Sequence, residues 1–485
     1  MSAERVFYYF NEISKISRLS FEEKKIADYL VEQGKRMGLE VIRDKENNVI
    51  IKKIANRIDS PVVVLQAHTD MVWESENSEE TQEKIPYHIH VKDGKICTYG
   101  TTLGADDGIG VALMLTLLEN NTKEYPSLEA IFTANEEETM SGAIAIRKED
   151  VTGEYMINLD SEKEGVFTIG SAGGISSFCK LPVKSKTSIK DITVKIMVTD
   201  CIGGHSGLEI NRKHENAIKL LVRFLRTLSK NSFELKSLEG GSRSNAIPGW
   251  ATAVVNTDDI EILEKEVIDF IKICQNEWCN EEKELSISIK QTEYSCVVYE
   301  DQFRERLLLL LENLPHGVYS RNEDFVCSSV NLAIVREIEK FITIELTLRS
   351  SYESWYRDEV KKIERLMEHF GGESEHKDEY PAWMYKKDSE LTKIFLDTYD
   401  ELYGEKAECE NVHAGLECGI IMRNCPSVKD AISIGPTILN AHTVFESLYI
   451  ESVNKVYALL DKVLQNINAK KEQSNIRSKK GDYYE

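Results

Sequence analysis

Residues 61–70 read PVVVLQAHTD, an apolar run that turns polar at His68 and Asp70, and the same change recurs downstream. TTLGADDG (101–108) opens the apolar stretch IGVALMLTLL (109–118). SLEAIFTA (127–134) runs into Asn135 and the acids Glu136, Glu137 and Glu138, and EYMINLD (154–160) ends on Asp160. Short apolar runs bounded by polar or glycine-rich sequence predict strands, and the longer run after Gly108 predicts a helix. A short helix is expected near 140–148. Strand and helix in alternation predict an α/β fold, a sheet covered by helices on both faces. The polar residues that close each run then gather at one sheet edge.

The texture changes around 181. From there to about 380 the strands DITVKIMV (191–198), WATAVVN (250–256), ELSISIKQ (284–291) and FITIELTLR (341–349) are separated by longer amphipathic helices. Between 215 and 229, Ala217, Leu220, Leu221, Phe224, Leu225 and Leu228 recur at threes and fours, one apolar stripe that packs on a sheet. This is an α+β region with its own core. After Pro381 the first texture returns, with a helix near 387–403, a strand DAISIG (430–435) and a closing helix marked by Val456, Leu459, Leu460 and Val463. A chain of 485 residues exceeds one ordinary core. The expected division is a first domain made of 1–180 and 381–485, interrupted by an inserted domain at 181–380.

Sixty basic residues against 82 acidic ones give a net charge of −22, which opposes nucleic acid and anionic membrane as partners. Lys470, Lys471, Lys479 and Lys480 fall in a polar tail read as a frayed end. No apolar run approaches the ~20 residues of a membrane span, and MSAERVFYYFNEIS lacks the pattern of a secretory signal. A cytoplasmic location is expected. The ten cysteines show no CxxC and no close pairing, so they are read as reduced and mostly buried.

Two histidines and several carboxylates at one sheet edge can bind a pair of divalent ions, which makes a metallohydrolase the leading reading. On an extended strand His68 and Asp70 point the same way, and a carboxylate beside an imidazole fixes its tautomer and turns the other nitrogen toward a metal. Asp106 and Asp107 open a helix, where one acid serves as a cap and the other can bridge two ions; Asp106 is the choice for the bridge, and a one-residue shift would move it to Asp107. Three successive acids also fit a solvated turn. Because adjacent side chains diverge, one Glu could ligate a metal while its neighbour reaches the activated water. Asp160 adds a carboxylate at the same edge, and His442, in ILNAHT, arrives after the strand at 430–435.

The order HxD, GAD, EE, Asp and a late His resembles the M20 family of dinuclear zinc peptidases, and within it the aminoacyl-histidine dipeptidase (PepD-like) branch. The likeness runs through HTDMV (68–72), TTLGADDGIG (101–110), EEETMSGA (136–143), NLDSE (158–162), SAGG (171–174), GGHSG (203–207), LLVRFL (220–225), NAIPG (245–249), RSS (349–351), HAGLECG (413–419) and GPT with NAHT (435–443). It implies a mixed-sheet catalytic domain and an inserted lid. His68, Asp106 and Asp160 would hold one ion and Asp106, Glu137 and His442 the other, with Asp106 bridging, Asp70 orienting His68 and Glu136 as general base. Zinc suits these ligands, and manganese or cobalt could occupy them. His205 would help bind the substrate or its oxyanion, Asn245 and Arg349 are candidate lid contacts, and His413 and Glu417 are candidates for substrate recognition, Glu417 for the amino end.

The resemblance implies hydrolysis of unblocked dipeptides, Xaa-His types included, with a small peptide as the partner. A homodimer through the lid is compatible with the family's habit, although nothing in the composition shows it. Another M20 activity, on tripeptides or N-acyl amino acids, is the nearest alternative; a catalytically silent binding protein is a remoter one. Trp73 stands where proline is commoner, and NAHTVFESLYI (440–450) replaces a Ser-Pro-Asp-Glu-Arg run after the metal histidine. Both departures fall near the pocket and neither removes a proposed ligand.

Overall fold

A computed structural model describes residues 3–55, 61–77, 89–121, 124–277, 282, 284–322 and 325–481, with side chains described to residue 469. Cys279, one of the cysteines read as reduced, and the side chains of Lys470, Lys471, Lys479 and Lys480 lie outside the described residues. The chain divides into two compact units, one of residues 1–170, 385–411 and 416–485, the other of 171–384 and 412–415.

The first unit is built on an eight-stranded mixed sheet with strands in the order Glu40–Arg43, Val49–Lys53, Ser127–Thr133, Val62–His68, Tyr155–Asn158, Asp430–Ser433, Val166–Ser171 and Glu408–Val412. Val62–His68 lies in the middle and pairs in parallel with both Ser127–Thr133 and Tyr155–Asn158, and Tyr155–Asn158 pairs in parallel with Asp430–Ser433. Strands covered on both faces read as unbroken apolar runs, which is why VVVLQA shows no alternation. Parallel pairing has a functional consequence: the carboxyl ends of these strands, with the turns after them, lie at one edge.

The helix Ala105–Glu119 belongs to this unit's core, buried at almost every position, together with Val6, Tyr9, Phe10 and Ile13 of the helix Glu4–Ile13. Asp106 and Asp107 have non-helical backbone angles, so regular helix begins only after them. Gly104 turns the chain into this helix at φ +66°, a left-handed conformation that costs glycine little. The closing helix spans Ile450–Gly481 and so carries its backbone through the segment read as a frayed end; the run of Ala, Lys, Glu and Gln after 468 has high helix propensity.

The second unit holds a nine-stranded sheet that is antiparallel among the described residues, with Gly173–Pro182, Phe341–Ser350 and Val326–Ile338 adjacent. Its core includes the helix Ala217–Thr227, which buries the stripe read from the sequence. Residues 171–180 go with this unit, because Gly173–Pro182 pairs with Phe341–Ser350 and Glu373–Tyr380. Among the described residues the cysteines are free, and six of the nine are buried; Cys296 and Cys409 are exposed and Cys97 is half-buried. No described helix is long and apolar enough to cross a membrane.

Candidate metal centre and polar cluster

His68 is the last residue of its strand, 1% exposed. Its Nε2 faces Asp106 Oδ1 at 3.1 Å and Asp160 Oδ1 at 3.3 Å, and its Nδ1 lies 3.5 Å from Asp70 Oδ1. The strand ends at His68, so the turn after it, rather than strand alternation, brings Asp70 alongside. Asp70 is fully buried and accepts from the Ser20 hydroxyl (2.8 Å) and the N–H groups of Glu136 (3.0 Å) and Glu137 (3.2 Å). Burial alone would raise the Asp70 carboxyl; His68, the Glu136 N–H and the Ser20 hydroxyl hold it below its ordinary range. One side chain thus ties the imidazole to the acidic turn that follows the neighbouring strand.

Asp106 stands between the two imidazoles, with Oδ2 3.0 Å from His442 Nε2, which in turn lies 3.0 Å from Glu137 Oε1. Asp107 turns away from them: its Oδ1 accepts the Gly110 N–H at 3.1 Å, capping the helix. Gly110 has no room for a side chain, since a Cβ there would lie 2.3 Å from Asp107 Oδ1. Of the two registers left open by the sequence, the geometry selects Asp106 for the position between the histidines.

Among the described residues, three groups of side chains bring potential ligand atoms within 4.8 Å of one another: His68, Asp106 and Asp160; Asp106, Glu137 and His442; and His68, Glu136 and Glu137. Ligands on a tetrahedral ion with bonds of ~2.0 Å sit about 3.3 Å apart, which matches the imidazole–carboxylate separations here. Glu137 Oε1 is buried, and its near neighbour is His442 Nε2 at 3.0 Å. The cluster also favours positive charge: Asp106 and then Glu137 push the His442 imidazole up to about 11, and His68 is raised by Asp160, Asp106 and Asp70 although its burial acts the other way. Burial raises Asp160 to about 7, with Asp106 and Glu137 adding to it and His68 opposing, and raises Glu136 well above the carboxylate range. These residues fit a divalent cation by donor set, spacing and charge.

Glu417 also belongs to this unit. It begins the helix Glu417–Asn424 but points into the sheet, where its Oε2 accepts from Gln66 Nε2 (2.6 Å) and the Thr133 hydroxyl (2.7 Å). Its Oε1 has no hydrogen-bond partner, and burial raises the carboxyl to about 8.

The second unit gathers His205, Arg349 and His413. Arg349 is 7% exposed, donates to the Tyr380 hydroxyl from Nη1 at 2.6 Å, and has an unpartnered Nε. Arg349 forms no ion pair among the described residues. His413 Nε2 lies 2.7 Å from the Ser329 hydroxyl; burial and then Arg349 lower the imidazole to about 3. His205 Nδ1 accepts from the Gly207 and Leu208 N–H groups (both 3.3 Å), which leaves Nε2 as the protonated nitrogen. Burial and then Arg349 lower it too, so the charged form of both histidines is disfavoured. Asn245 has an exposed side chain, and its carbonyl accepts the Ser206 N–H at 2.8 Å, steadying the loop that carries His205.

Several contributing residues escaped the sequence reading. Arg18, buried, donates to the carbonyls of Thr69, Asp70 and Gly104 and so joins the His68 turn to the Asp106 loop. Ser20 and Tyr380 carried no motif. Glu446 lies inside the divergent stretch 440–450, and an acid four residues after His442 was the available signal.

Residues 64–466 match the pattern of Peptidase family M20/M25/M40. The cytosol non-specific dipeptidase of Escherichia coli (strain K12) is 33% identical over 484 residues, which cover 97% of this chain and 99% of that protein. The crystal structure of aminoacylhistidine dipeptidase from Vibrio alginolyticus superposes with a TM-score of 0.87 at 29% identity, over 95% of this chain and 96% of that one. A wider likeness of fold alone reaches aminopeptidase PepT from Bacillus cereus, with a TM-score of 0.56 at 16% identity over 96% and 99% of the two chains. The chain belongs to peptidase family M20/M25/M40 and is a hydrolase acting on peptide bonds.

Proposed function

We propose that this chain hydrolyses unblocked dipeptides, Xaa-His dipeptides among them, at a centre of two divalent cations, with zinc the best match to the donors. The observation that carries the reading is the placement of Asp106 between His68 and His442, each imidazole facing a second carboxylate as well. When ionised, Asp106, Asp160, Glu137 and Glu136 carry four negative charges beside two imidazoles, which two bound divalent ions would neutralise. The names of the Escherichia coli and Vibrio alginolyticus relatives support the substrate class.

Bound at His68, Asp106 and Asp160 and at Asp106, Glu137 and His442, such ions supply Lewis acidity and make water a stronger acid. Asp70 holds His68 in the tautomer that presents Nε2. Glu136 takes the proton of the attacking water and passes it to the leaving amine. The second unit serves as the lid, where His205 Nε2–H is the donor for the oxyanion. Arg349, a buried cation without an ion pair among the described residues, takes the free carboxylate of the dipeptide, supported by His413 and Asn245. Glu417, with one unpartnered oxygen, takes the ammonium, because a desolvated cation needs a carboxylate beside it. The cytosol named for the Escherichia coli relative supports a cytoplasmic location, and the homodimer rests on the family resemblance alone.

The test is metal content measured together with a panel of β-alanyl-histidine, other dipeptides, a tripeptide and an N-acetylated amino acid, with and without chelator. Two ions per chain and chelator-sensitive cleavage confined to free dipeptides are expected. Cleavage of the tripeptide or the acylated amino acid in preference to dipeptides would move the enzyme to another branch of the family.

Arg349→Met is expected to raise KM for dipeptides roughly 10–100-fold, the size of one lost charge-assisted contact, with metal content unchanged. Dipeptide amides, which lack the carboxylate, should be cleaved equally by wild type and variant. A parallel loss on both substrates would remove Arg349 from carboxylate recognition.

A further inference from the structure

We propose that Glu446 is a positioning residue that fixes Asp106 relative to His442, so that the cation site of Asp106, Glu137 and His442 forms as one unit. The inference rests on the metal reading above. Glu446 is 3% exposed, and both its oxygens are taken by main-chain donors from the far side of the sequence. Oε2 accepts from Leu103 (2.8 Å) and Gly104 (2.9 Å), and Oε1 from Ala105 (2.7 Å) and Asp106 (3.3 Å). Among the described residues no lysine or arginine forms an ion pair with it. Successive N–H groups turned to one side by a left-handed residue make a concave anion site, here closed by the chain's own carboxylate; Gly104 is that left-handed residue.

The last donor in this series is Asp106, whose side chain lies between the imidazoles. Glu446 sits four residues beyond His442, at the end of a turn closed by Thr443, whose hydroxyl donates to the Asn440 carbonyl (2.8 Å) and accepts the Phe445 N–H (3.2 Å). The Glu446 N–H bonds the Thr443 carbonyl at 3.1 Å. One side chain therefore joins the backbone of one proposed ligand to the turn carrying another.

The two imidazoles differ in how much else holds them. His68 ends a central strand, is buried, and has Asp70 behind it. His442 has a side chain 46% exposed and a left-handed backbone at φ +62°. Loosening the Glu446 tie should consequently weaken one ion and spare the other, which a general loss of stability would not do.

Glu446→Gln replaces one carboxylate oxygen with an NH2 group that presents donors to N–H groups. Zinc titration of the metal-free protein is expected to give two ions in wild type. In the variant one ion should bind with unchanged affinity and the other about 10–100-fold more weakly, the usual cost of losing an outer partner of a metal ligand. At limiting zinc kcat should fall, and excess zinc should restore it, while KM for a dipeptide stays within about twofold. If Glu446→Gln does not fold, Glu446→Asp, which keeps the charge at shorter reach, should show the same selective weakening to a smaller extent. Two ions bound as in wild type with only a lower Tm would make Glu446 merely structural and overturn the proposal, as would joint loss of both ions and the fold in both variants. A wild-type chain that takes up no cation would overturn the metal reading and this inference together.

Discussion

Glu136→Gln is expected to retain both cations and to lower kcat by roughly 10²–10⁴-fold, the range for loss of a general base, with KM little changed. The backbone of Glu136 is fixed because its N–H binds Asp70, so the substitution leaves the turn in place. Its side chain groups with His68 and Glu137 within ligand distance, and two roles compete for it. As a base it can be neutralised without disturbing the metals; as a ligand it cannot. Metal analysis of the purified variant separates the two, since a fall from two ions to one alongside the loss of turnover would make Glu136 a ligand. Burial, and after it the carboxylates of Asp160, Glu417 and Glu137, raise its proton affinity while His68 opposes; bound divalent ions would offset the carboxylate repulsion and so favour the ionised form that a base needs.

Much of this centre is readable from one sequence because of its parallel strands. A strand buried on both faces is an unbroken apolar run, and where it emerges from the sheet the sequence must turn polar. PVVVLQAHTD, SLEAIFTANEEE and EYMINLD each show that transition, and the parallel ladders bring their ends to one edge. The sequence reading chose Asp106 over Asp107 for the bridge although both acids suit a helix start; the contact that separates them, the Gly110 N–H that takes Asp107 as a cap, is visible only in the structure.

Residues that act through the backbone of a distant segment left no local trace. Glu446 reaches 343 positions back to Leu103, and Arg18 reaches 86 positions forward to Gly104; no periodicity encodes such contacts. Tyr380 was equally silent, although its ring fills space that Gly174 and Gly415 leave open. A Cβ at Gly174 would lie 2.4 Å from the Tyr380 hydroxyl oxygen, and one at Gly415 2.7 Å from its ring. The glycines of SAGG and HAGLECG thus make room for the residue that holds Arg349. HAGLECG is itself divided, with His413 in the second unit and Glu417 in the first, a split that seven contiguous letters could not reveal.

His442→Ala should remove one ion, leave the other, and lower kcat/KM on the order of 10³-fold or more, since Lewis-acid stabilisation is worth several kcal/mol and each ~1.4 kcal/mol is tenfold. His442 takes part in only one of the two ligand groups that share Asp106, so the group of His68, Asp106 and Asp160 stays whole. His68→Ala should do more damage, because it takes the ligand that faces both Asp106 and Asp160 and leaves Asp70 buried without its imidazole. Free imidazole distinguishes the two positions. The His442 side chain is 46% exposed and the His68 side chain 1%, so added imidazole can enter the first gap and is shut out of the second. Restoration of the lost ion and of turnover in His442→Ala, with none in His68→Ala, is the expected pattern. Rescue of neither, with a single ion still bound in wild type, would show that His442 lies at the edge of a mononuclear site and that Asp106 bridges nothing.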